Sequence, residues 1–145
     1  MAEKENLQLA EQMIAAVNAR DLNRYVQQID PAYIGESEMI PEPVRGPEGA
    51  RRALNVILTA FPDLRIEVEQ MLASGDYVIV RARLTGTQKG TYAGIAPTNK
   101  SVSWRACNVV ELRNGKAIRG RVYADNVSVL QQIGAISIPK ATAAG

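Results

Sequence analysis

The stretch Tyr123-Ala124-Asp125-Asn126-Val127-Ser128-Val129-Leu130-Gln131-Gln132-Ile133-Gly134 gives the clearest indication of the fold. Its first residues continue an alternating strand, and the rest has the apolar spacing of a short helix that Gly134 ends. Asp125 directly precedes this helix, where a carboxylate can accept hydrogen bonds from the free N–H groups of the first turn. The stretch therefore predicts a last strand that runs into a C-terminal helix, with Asp125 as the N-cap.

In the first half of the chain, apolar residues recur at intervals of three or four, which predicts helices. The predicted helices cover residues 10–17, 22–29 and 47–61. Asp21 is the expected N-cap of the second helix, and Pro31 and Pro62 end the second and third. Between these two helices, residues 32–36 predict a short strand and residues 36–43 a loop rich in proline and glutamate.

From Leu64 onward the apolar residues alternate with polar ones, which predicts β-strands. The predicted strands cover residues 64–72, 77–87, 101–112 and 117–125. Ser74-Gly75-Asp76 and Asn114-Gly115 are turn sequences, and the second is typical of a β-hairpin. Helices followed by an antiparallel meander predict an α+β fold, with three N-terminal helices packed on one face of a curved antiparallel sheet and a short C-terminal helix. We expect a single domain over residues 1–134 and a tail over residues 135–145.

The composition limits the classes of function. The chain has 145 residues and a net charge of +2, with acids and bases interspersed. It therefore lacks the clustered basic face of a nucleic-acid-binding protein, and its apolar runs are shorter than the roughly 20 residues of a membrane-spanning helix. The single cysteine, Cys107, excludes an intrachain disulfide. Together with a charged start that is unlike a signal peptide, this favours a cytoplasmic location.

Histidine is absent from the sequence. This excludes Ser-His-Asp and Cys-His catalysis within the chain, and it removes the most common ligand of transition metals. The sequence also contains no CxxC pair and no acidic calcium loop. We therefore expect neither a metal nor another cofactor.

Four further motifs accompany the C-terminal stretch: Arg45-Gly46-Pro47-Glu48, Phe61-Pro62-Asp63, Ser74-Gly75-Asp76 and Gly94-Ile95-Ala96-Pro97-Thr98. With them, residues 5–134 resemble the SnoaL-like polyketide cyclases. The resemblance implies the cone-shaped α+β barrel of nuclear transport factor 2, scytalone dehydratase and ketosteroid isomerase. It also implies a small hydrophobic, polyketide-like substrate and a homodimer in which sheet pairs with sheet.

Alternation along the strands separates the residues of the two sheet faces. The face toward the helices is almost entirely apolar, and its small residues leave room for a pocket. An apolar cavity with a few polar groups is the usual form of a small-molecule site, whereas the alternative is a filled core. The polar groups expected in this pocket are Asn108, Gln70 and Trp104. The expected substrate-binding residues are Tyr25, Tyr33, Leu58, Gln70, Val80, Ala82, Tyr92, Ala106, Gly120 and Val122.

The opposite face of the sheet combines several arginines and glutamates with Tyr77, Ile79 and Tyr123. Such a face is either solvated and covered by cross-strand ion pairs, or it is the interface of a homodimer. The apolar area among charges of both signs, together with the resemblance, favours the homodimer.

In SnoaL-like cyclases that close a ring by aldol condensation, an aspartate on the last strand transfers the proton and a histidine lies on the preceding strand. The resemblance aligns these two positions with Val122 and Asn108. Valine cannot transfer a proton, so we do not expect the aspartate-dependent aldol route. Asn108, Trp104 and Gln70 are then the groups expected to orient a substrate and polarise a carbonyl.

Three carboxylates are further catalytic candidates. Glu36 and Glu38 lie in the predicted loop, near the segment where ketosteroid isomerase-like relatives keep their base, although an acidic loop between prolines is also typical of a solvated surface. Asp125 is either the cap of the last helix or, if the strand twists, a residue at the rim of the pocket.

Tyr25, Tyr33 and Tyr92 are candidate phenolic donors to a developing oxyanion, or else amphipathic residues of the wall. The segment 88–100 contains two glycines and a proline, and we expect it to form a lid or the mouth of the pocket.

Three functions remain open from the sequence. The leading hypothesis is an enzyme that folds a reactive, unsaturated polyketide-like chain for cyclisation. The second is an isomerase or dehydratase with Glu36 or Glu38 as base. The third is a dimeric binding protein for a hydrophobic metabolite, without catalysis.

Overall fold

The computed structural model describes residues 2–139. Its elements, in chain order, are α1 (Ala2–Asn18), α2 (Leu22–Gln27), β1 (Ile29–Ser37), β2 (Ile40–Arg45), α3 (Gly46–Ala60), β3 (Arg65–Ser74), β4 (Tyr77–Thr87), β5 (Ser101–Arg113), β6 (Lys116–Ala124) and α4 (Asn126–Gln132). The predicted α+β class is confirmed, with helices packed on a curved six-stranded sheet. The proposed tail, residues 135–145, lies outside the described residues from 140 onward.

Both predicted N-caps are confirmed. The Asp21 carboxylate accepts a hydrogen bond from the Arg24 N–H at 3.1 Å, and the Asp125 carboxylate accepts one from the Ser128 N–H at 3.0 Å. These contacts span only three residues, so the local sequence is sufficient to specify them.

The prediction of a loop over residues 36–43 is wrong. Strands β1 and β2 form an antiparallel hairpin through this region, with Glu36 inside β1 and Glu38 in the turn. The sequence did not predict the second strand because it contains Pro41 and Pro43, and proline has no N–H group to donate to the hydrogen bonds between strands. Strand β2 lies at the edge of the sheet, where proline is tolerated.

The strand order in the sheet is β2-β1-β6-β5-β4-β3. Neighbouring strands are antiparallel except for β1 and β6, which are parallel, so the expectation of a wholly antiparallel sheet is corrected. A parallel pair requires a long crossover, and here α3 and the meander of β3, β4 and β5 provide it. The edge strands β2 and β3 do not pair with each other, so the curved sheet stays open.

A β-bulge in β3 reverses the alternation of its side chains. Val68 pairs with Ala82, but the next pair is Gln70 with Arg81, which leaves Glu69 as the extra residue. Gln70 is consequently exposed on the outer face, and the prediction that it faces the helices is wrong. An inserted residue shifts every later side chain to the opposite face, and the sequence does not show where the insertion lies.

The buried residues between helices and sheet form two clusters. One, here called the aromatic cluster, consists of Ala60, Phe61, Leu64, Tyr92, Val102, Trp104, Val129 and Ile133. The Phe61 ring lies 5.1 Å from the Trp104 ring and 5.4 Å from the Tyr92 ring, measured between centroids. The other cluster consists of Ala10, Val78, Val80, Ala82, Val110, Leu112 and Ala117. Because one end of the cone is filled by aromatic rings, the open space lies toward the second cluster.

Candidate functional site

A cavity of about 220 Å³ lies between the helices and the inner face of the sheet. Helices α1 and α3 contribute Met13, Ile14, Val17, Leu54 and Ile57 to its wall. The residues that both line this cavity and were expected in a pocket are Tyr25, Tyr33, Val80, Ala82, Ala106, Asn108 and Val122. The wall is therefore almost entirely carbon, with two phenols and one amide as its polar side chains.

Five of the predicted pocket residues lie elsewhere. Trp104 and Tyr92 belong to the aromatic cluster, and Leu58 packs against it. Gln70 is exposed on the outer face, because of the bulge. Gly120 is buried beneath Tyr33, so that it shapes the cavity without lining it.

Two other depressions lie on the surface. One, of about 390 Å³, is lined by charged residues of both signs, including Asp30, Glu111, Arg113 and Arg119. The other, of about 420 Å³, lies near Asp63 and is lined mainly by polar side chains and backbone. Both lack the apolar wall of the inner cavity, and small-molecule sites are predominantly apolar.

Asn108 is the most unusual group in the cavity wall. It lies on the inner face of β5, opposite Val80 on β4 and Val122 on β6. Ala106 and Val110, its neighbours on the same face of β5, are also apolar and line the cavity. The Asn108 Oδ1 atom is buried and has no hydrogen-bond partner among the described residues. Buried polar atoms of this kind are rare in folded proteins, so this one requires an explanation.

The two phenols reach the cavity from α2 and β1. Burial raises the pKa of both Tyr25 and Tyr33, and the neighbouring Tyr33 raises the pKa of Tyr25 further. Both hydroxyls therefore keep their protons throughout the neutral range and can act as hydrogen-bond donors.

The carboxylate candidates lie outside the cavity. Glu36 is 3.6 Å from the Arg121 Nε atom, and its side chain is 42% exposed, while Glu38 is exposed in the turn after β1. Asp125 is exposed and caps α4. None of these three residues belongs to the described cavity wall.

The segment 88–100, expected to be a lid or mouth, is anchored away from the cavity. The buried Gln88 amide donates to three backbone carbonyls at 3.1–3.2 Å, those of Gly90, Ile95 and Ala96. A Cβ atom on Gly90 would lie 2.2 Å from the Thr59 carbonyl oxygen, so the segment sits tightly against the end of α3. No residue of 88–100 belongs to the cavity wall as described, and the lid expectation is corrected.

Sequence reasoning missed two kinds of residue here. The α1 and α3 wall residues were assigned only to apolar helix stripes, because helical periodicity does not distinguish a filled core from a cavity. Gln88 was missed because a single buried amide leaves no periodic signal. Among the described residues, no cluster of metal-ligating side chains is present, and no helix is long and apolar enough to cross a membrane.

The outer face of the sheet carries exposed apolar residues among charges. Tyr77, Ile79 and Tyr123 are 46%, 39% and 52% exposed, respectively. Arg105 Nε contacts Glu69 Oε1 at 3.1 Å across this face.

The fold agrees with the family to which the sequence belongs. The profile of SnoaL-like polyketide cyclases matches residues 7–133, so the chain belongs to this family and the resemblance seen in the sequence is confirmed. No curated protein sequence matches the chain.

Known structures show the same fold. AclR from Streptomyces galilaeus, described as a candidate hydroxylase, is 28% identical, with a TM-score of 0.83 over 95% of this chain and 87% of AclR. A candidate SnoaL-like polyketide cyclase from Jannaschia sp. CCS1 is 27% identical, with a TM-score of 0.85 over 93% of this chain and 95% of that chain. IdmH from Streptomyces antibioticus, described as a candidate polyketide cyclase, is 23% identical with a TM-score of 0.78 over 89% of this chain and 98% of its own, which shows the fold alone.

Proposed function

We propose that the protein is a cofactor-independent enzyme of the cyclase type, which binds a hydrophobic, polyketide-like substrate in the inner cavity and promotes its ring closure. The observation that carries this proposal is an apolar cavity with one amide and two phenols in its wall, in a member of the SnoaL-like polyketide cyclase family. Such a wall can fold an apolar chain and hold its oxygens at fixed points.

The cavity wall supports ring closure without acid–base catalysis. Val122 lines the cavity at the position that the family resemblance aligns with the catalytic aspartate, and valine cannot transfer a proton. A pericyclic closure of an unsaturated chain forms one carbon–carbon bond at the expense of a π bond and requires no net proton transfer. The Asn108 Nδ2–H and the Tyr25 and Tyr33 hydroxyls would orient the chain and stabilise charge that develops on a carbonyl oxygen.

The isomerase or dehydratase alternative gains no support from the geometry. Its proposed base, Glu36 or Glu38, lies outside the cavity, and Glu36 faces Arg121 instead. A binding protein without catalysis differs from the cyclase only in turnover, so the activity assay separates the two.

The assay follows the ring closure of uncyclised, unsaturated polyketide ketones by liquid chromatography and mass spectrometry. We expect a product of unchanged mass, formed at a rate that is nearly constant from about pH 6 to about pH 8, because the wall carries no group that titrates there. Asn108→Leu should slow the reaction, whereas Gln70→Leu, the same change on the exposed outer face, should not. Saturable binding without product would indicate the non-catalytic alternative, and a rate that follows a single pKa near neutrality would indicate a carboxylate enzyme.

The proposal includes a homodimer through the outer sheet face. Charges of both signs alternate there, so the face is complementary to a second copy of itself, and Tyr77, Ile79 and Tyr123 add apolar area. Sedimentation equilibrium at micromolar concentration should give two chains per particle. Ile79→Arg should yield monomers, and Val56→Arg, at an exposed position on α3, should remain dimeric. A monomeric wild-type protein would rule out this interface.

We also propose a cytoplasmic location, where the free Cys107 thiol would stay reduced. Cell fractionation with a specific antibody tests this part of the proposal.

A further inference from the structure

The sheet side of the inner cavity contains a row of alanines. Ala82 on β4, Ala106 on β5 and Ala124 on β6 lie directly opposite one another across three neighbouring strands, and the first two line the cavity. Two positions away on the same face, Val80 and Val122 also line the cavity, and their side chains extend further from the sheet. The methyl groups of Ala82 and Ala106 therefore leave space that a larger side chain would fill.

On the helix side, Leu54 is the wall residue with the least support from its neighbours. It lies on α3, lines the cavity and is only partly buried. Among the described residues it packs against neither of the two buried clusters, whereas Ile57, one turn further along α3, packs against the aromatic cluster. The Leu54 side chain is thus placed to contact a ligand rather than the core.

We propose that the inner cavity is specific for an uncharged substrate that closes to one or two rings, and that Ala106 in the sheet and Leu54 on α3 determine this size limit. This inference rests on the proposed function, because it concerns the substrate of the same cavity. It adds the size and the charge of that substrate, and the side chains that select it.

The volume of the cavity sets the size of the ligand. At about 220 Å³ it exceeds the roughly 150 Å³ of an engineered cavity that takes benzene, and it is below the roughly 300 Å³ of the smallest drug-sized sites. The benzene cavity provides roughly 25 Å³ for each carbon atom, and at that ratio the present cavity holds about nine non-hydrogen atoms. One substituted ring or two fused rings fill such a space, and three fused rings exceed it.

The wall also limits the charge of the ligand. The titratable groups that line the cavity are Tyr25 from α2 and Tyr33 from β1, while the wall residues from α1, α3 and the other strands carry no ionisable side chain. Burial raises the pKa of both phenols, so they stay neutral. An ionised ligand would lose its hydration without gaining a counter-ion, which disfavours carboxylates.

The size limit is tested with phenol, 2-naphthol and 2-hydroxyfluorene, which share one hydroxyl and contain one, two and three rings. Dissociation constants at pH 7 come from the fluorescence of the two larger probes and from displacement of 2-naphthol by phenol. On an open apolar surface the affinity would rise with every ring, because the buried area grows. We expect 2-naphthol to bind the wild type more tightly than phenol, and 2-hydroxyfluorene to bind at least about fivefold more weakly than 2-naphthol, because the third ring overfills the cavity.

Two variants move the limit in opposite directions. Leu54→Ala enlarges the cavity, and 2-hydroxyfluorene should then bind at least as tightly as 2-naphthol. Ala106→Val fills part of the cavity, so the preference for 2-naphthol over phenol should fall at least about fivefold. Val56→Ala is the matched control, because Val56 lies on α3 two residues from Leu54, is 70% exposed and is not part of the described wall. It should keep the wild-type order of the three probes.

The charge limit is tested with 2-naphthamide and 2-naphthoate, which have nearly the same shape. Both are measured by displacement of bound 2-naphthol, so that binding of the carboxylate to arginines on the outer face is not counted. We expect the amide to bind at least about tenfold more tightly than the carboxylate at pH 7.

Each other outcome overturns the inference. Tighter binding of 2-hydroxyfluorene than of 2-naphthol by the wild type would mean that the cavity imposes no such size limit. The wild-type order of affinities in both Leu54→Ala and Ala106→Val would mean that these residues do not set it. Equal displacement by the amide and the carboxylate would remove the charge limit. Absence of saturable binding by phenol and 2-naphthol would exclude the cavity as a site for rings.

The failure of this inference is distinguishable from that of the proposed function. The expected order of affinities, without ring closure of any polyketide ketone, would leave the size and charge limits intact and remove the cyclase. Ring closure of only those ketones that yield three or more fused rings would do the reverse.

Discussion

The hydroxyl of Tyr33 lies 2.6 Å from the point that a Cβ atom on Gly120 would occupy. A phenol on β1 therefore fills the space that the missing side chain leaves on β6, its parallel neighbour. Gly35 makes a second such contact, since its Cβ position is 2.9 Å from the same oxygen. The direction in which Tyr33 enters the cavity thus depends on two glycines that do not themselves line it.

Gly120→Ala should lower the free energy of unfolding by about 1–3 kcal/mol, the usual cost of overpacking, because the methyl group and the Tyr33 hydroxyl cannot share this space. Urea denaturation measures the change. Tyr33→Phe in the same chain removes the hydroxyl and should restore most of the loss, since the next ring atom is 3.5 Å away. If Gly120→Ala lowers stability equally in the wild type and in Tyr33→Phe, the contact between the Tyr33 hydroxyl and this position is contradicted.

Asn108→Leu should stabilise the ligand-free protein by about 1 kcal/mol, because it replaces a buried amide oxygen that has no partner among the described residues with carbon, next to Val80 and Val122. The measurement is again urea denaturation. Gln70→Leu, exposed on the outer face, should change stability by less than about 0.5 kcal/mol. A clear destabilisation by Asn108→Leu would show that the amide has a structural role in the fold.

Asp125→Ala should lower stability by about 0.5–2 kcal/mol, since the carboxylate accepts from the Ser128 N–H at the start of α4. Asp21→Ala removes the corresponding cap of α2 and should cost a similar amount. Thermal melts of both variants give the comparison. Loss of turnover in Asp125→Ala at unchanged stability would assign Asp125 to the reaction instead.

Val122→Asp should destabilise the protein more at pH 8 than at pH 5, by about 1–3 kcal/mol. Val122 lines the apolar cavity, where burial would raise the folded-state pKa of a carboxyl above its unfolded value of about 4. Ionisation then favours the unfolded chain, and stability falls as the pH rises from the unfolded toward the folded pKa. Val56→Asp, at a position on α3 that is 70% exposed, is the control and should show little difference between the two pH values.

The buried phenols predict a loss of stability in alkali. Burial raises the pKa of Tyr25 in the folded protein above the value of about 10 in the unfolded chain. The contribution of Tyr25 to the free energy of unfolding is therefore complete below about pH 10 and is lost as the pH rises above it. At pH 10.5 the wild type should have lost about 0.8 kcal/mol through this residue, and Tyr25→Phe should show a smaller decline between pH 8 and pH 10.5. Tyr77→Phe, on the exposed outer face, is the matched control, and an identical decline in both variants would contradict burial of the Tyr25 hydroxyl.

Local interactions were largely readable from the sequence. The caps Asp21 and Asp125 each contact an N–H three residues away, and alternation located the strands β3 to β6 to within about two residues. Such features depend on neighbours along the chain, so their residue types and spacing are sufficient evidence.

Other features depended on pairing between distant segments. The single extra residue Glu69 in β3 turned Gln70 to the outer face, and the proline-rich hairpin needed an edge position that only the complete sheet provides. Neither leaves a periodic pattern, because a bulge and an edge are defined by the partner strand.

The sequence by itself determined the α+β class, the family and the apolar character of the inner face, since these follow from periodicity, motifs and residue type. Only the tertiary structure decided which of those residues border empty space. Trp104 and Tyr92 pack into the aromatic cluster with Phe61, whereas Asn108 lies between Val80 and Val122, with no hydrogen-bond partner for its Oδ1 atom among the described residues. The alternation of polar and apolar residues determines which face of the sheet a side chain occupies. Whether that side chain borders a cavity, or lacks a hydrogen-bond partner, depends on how the helices pack against that face.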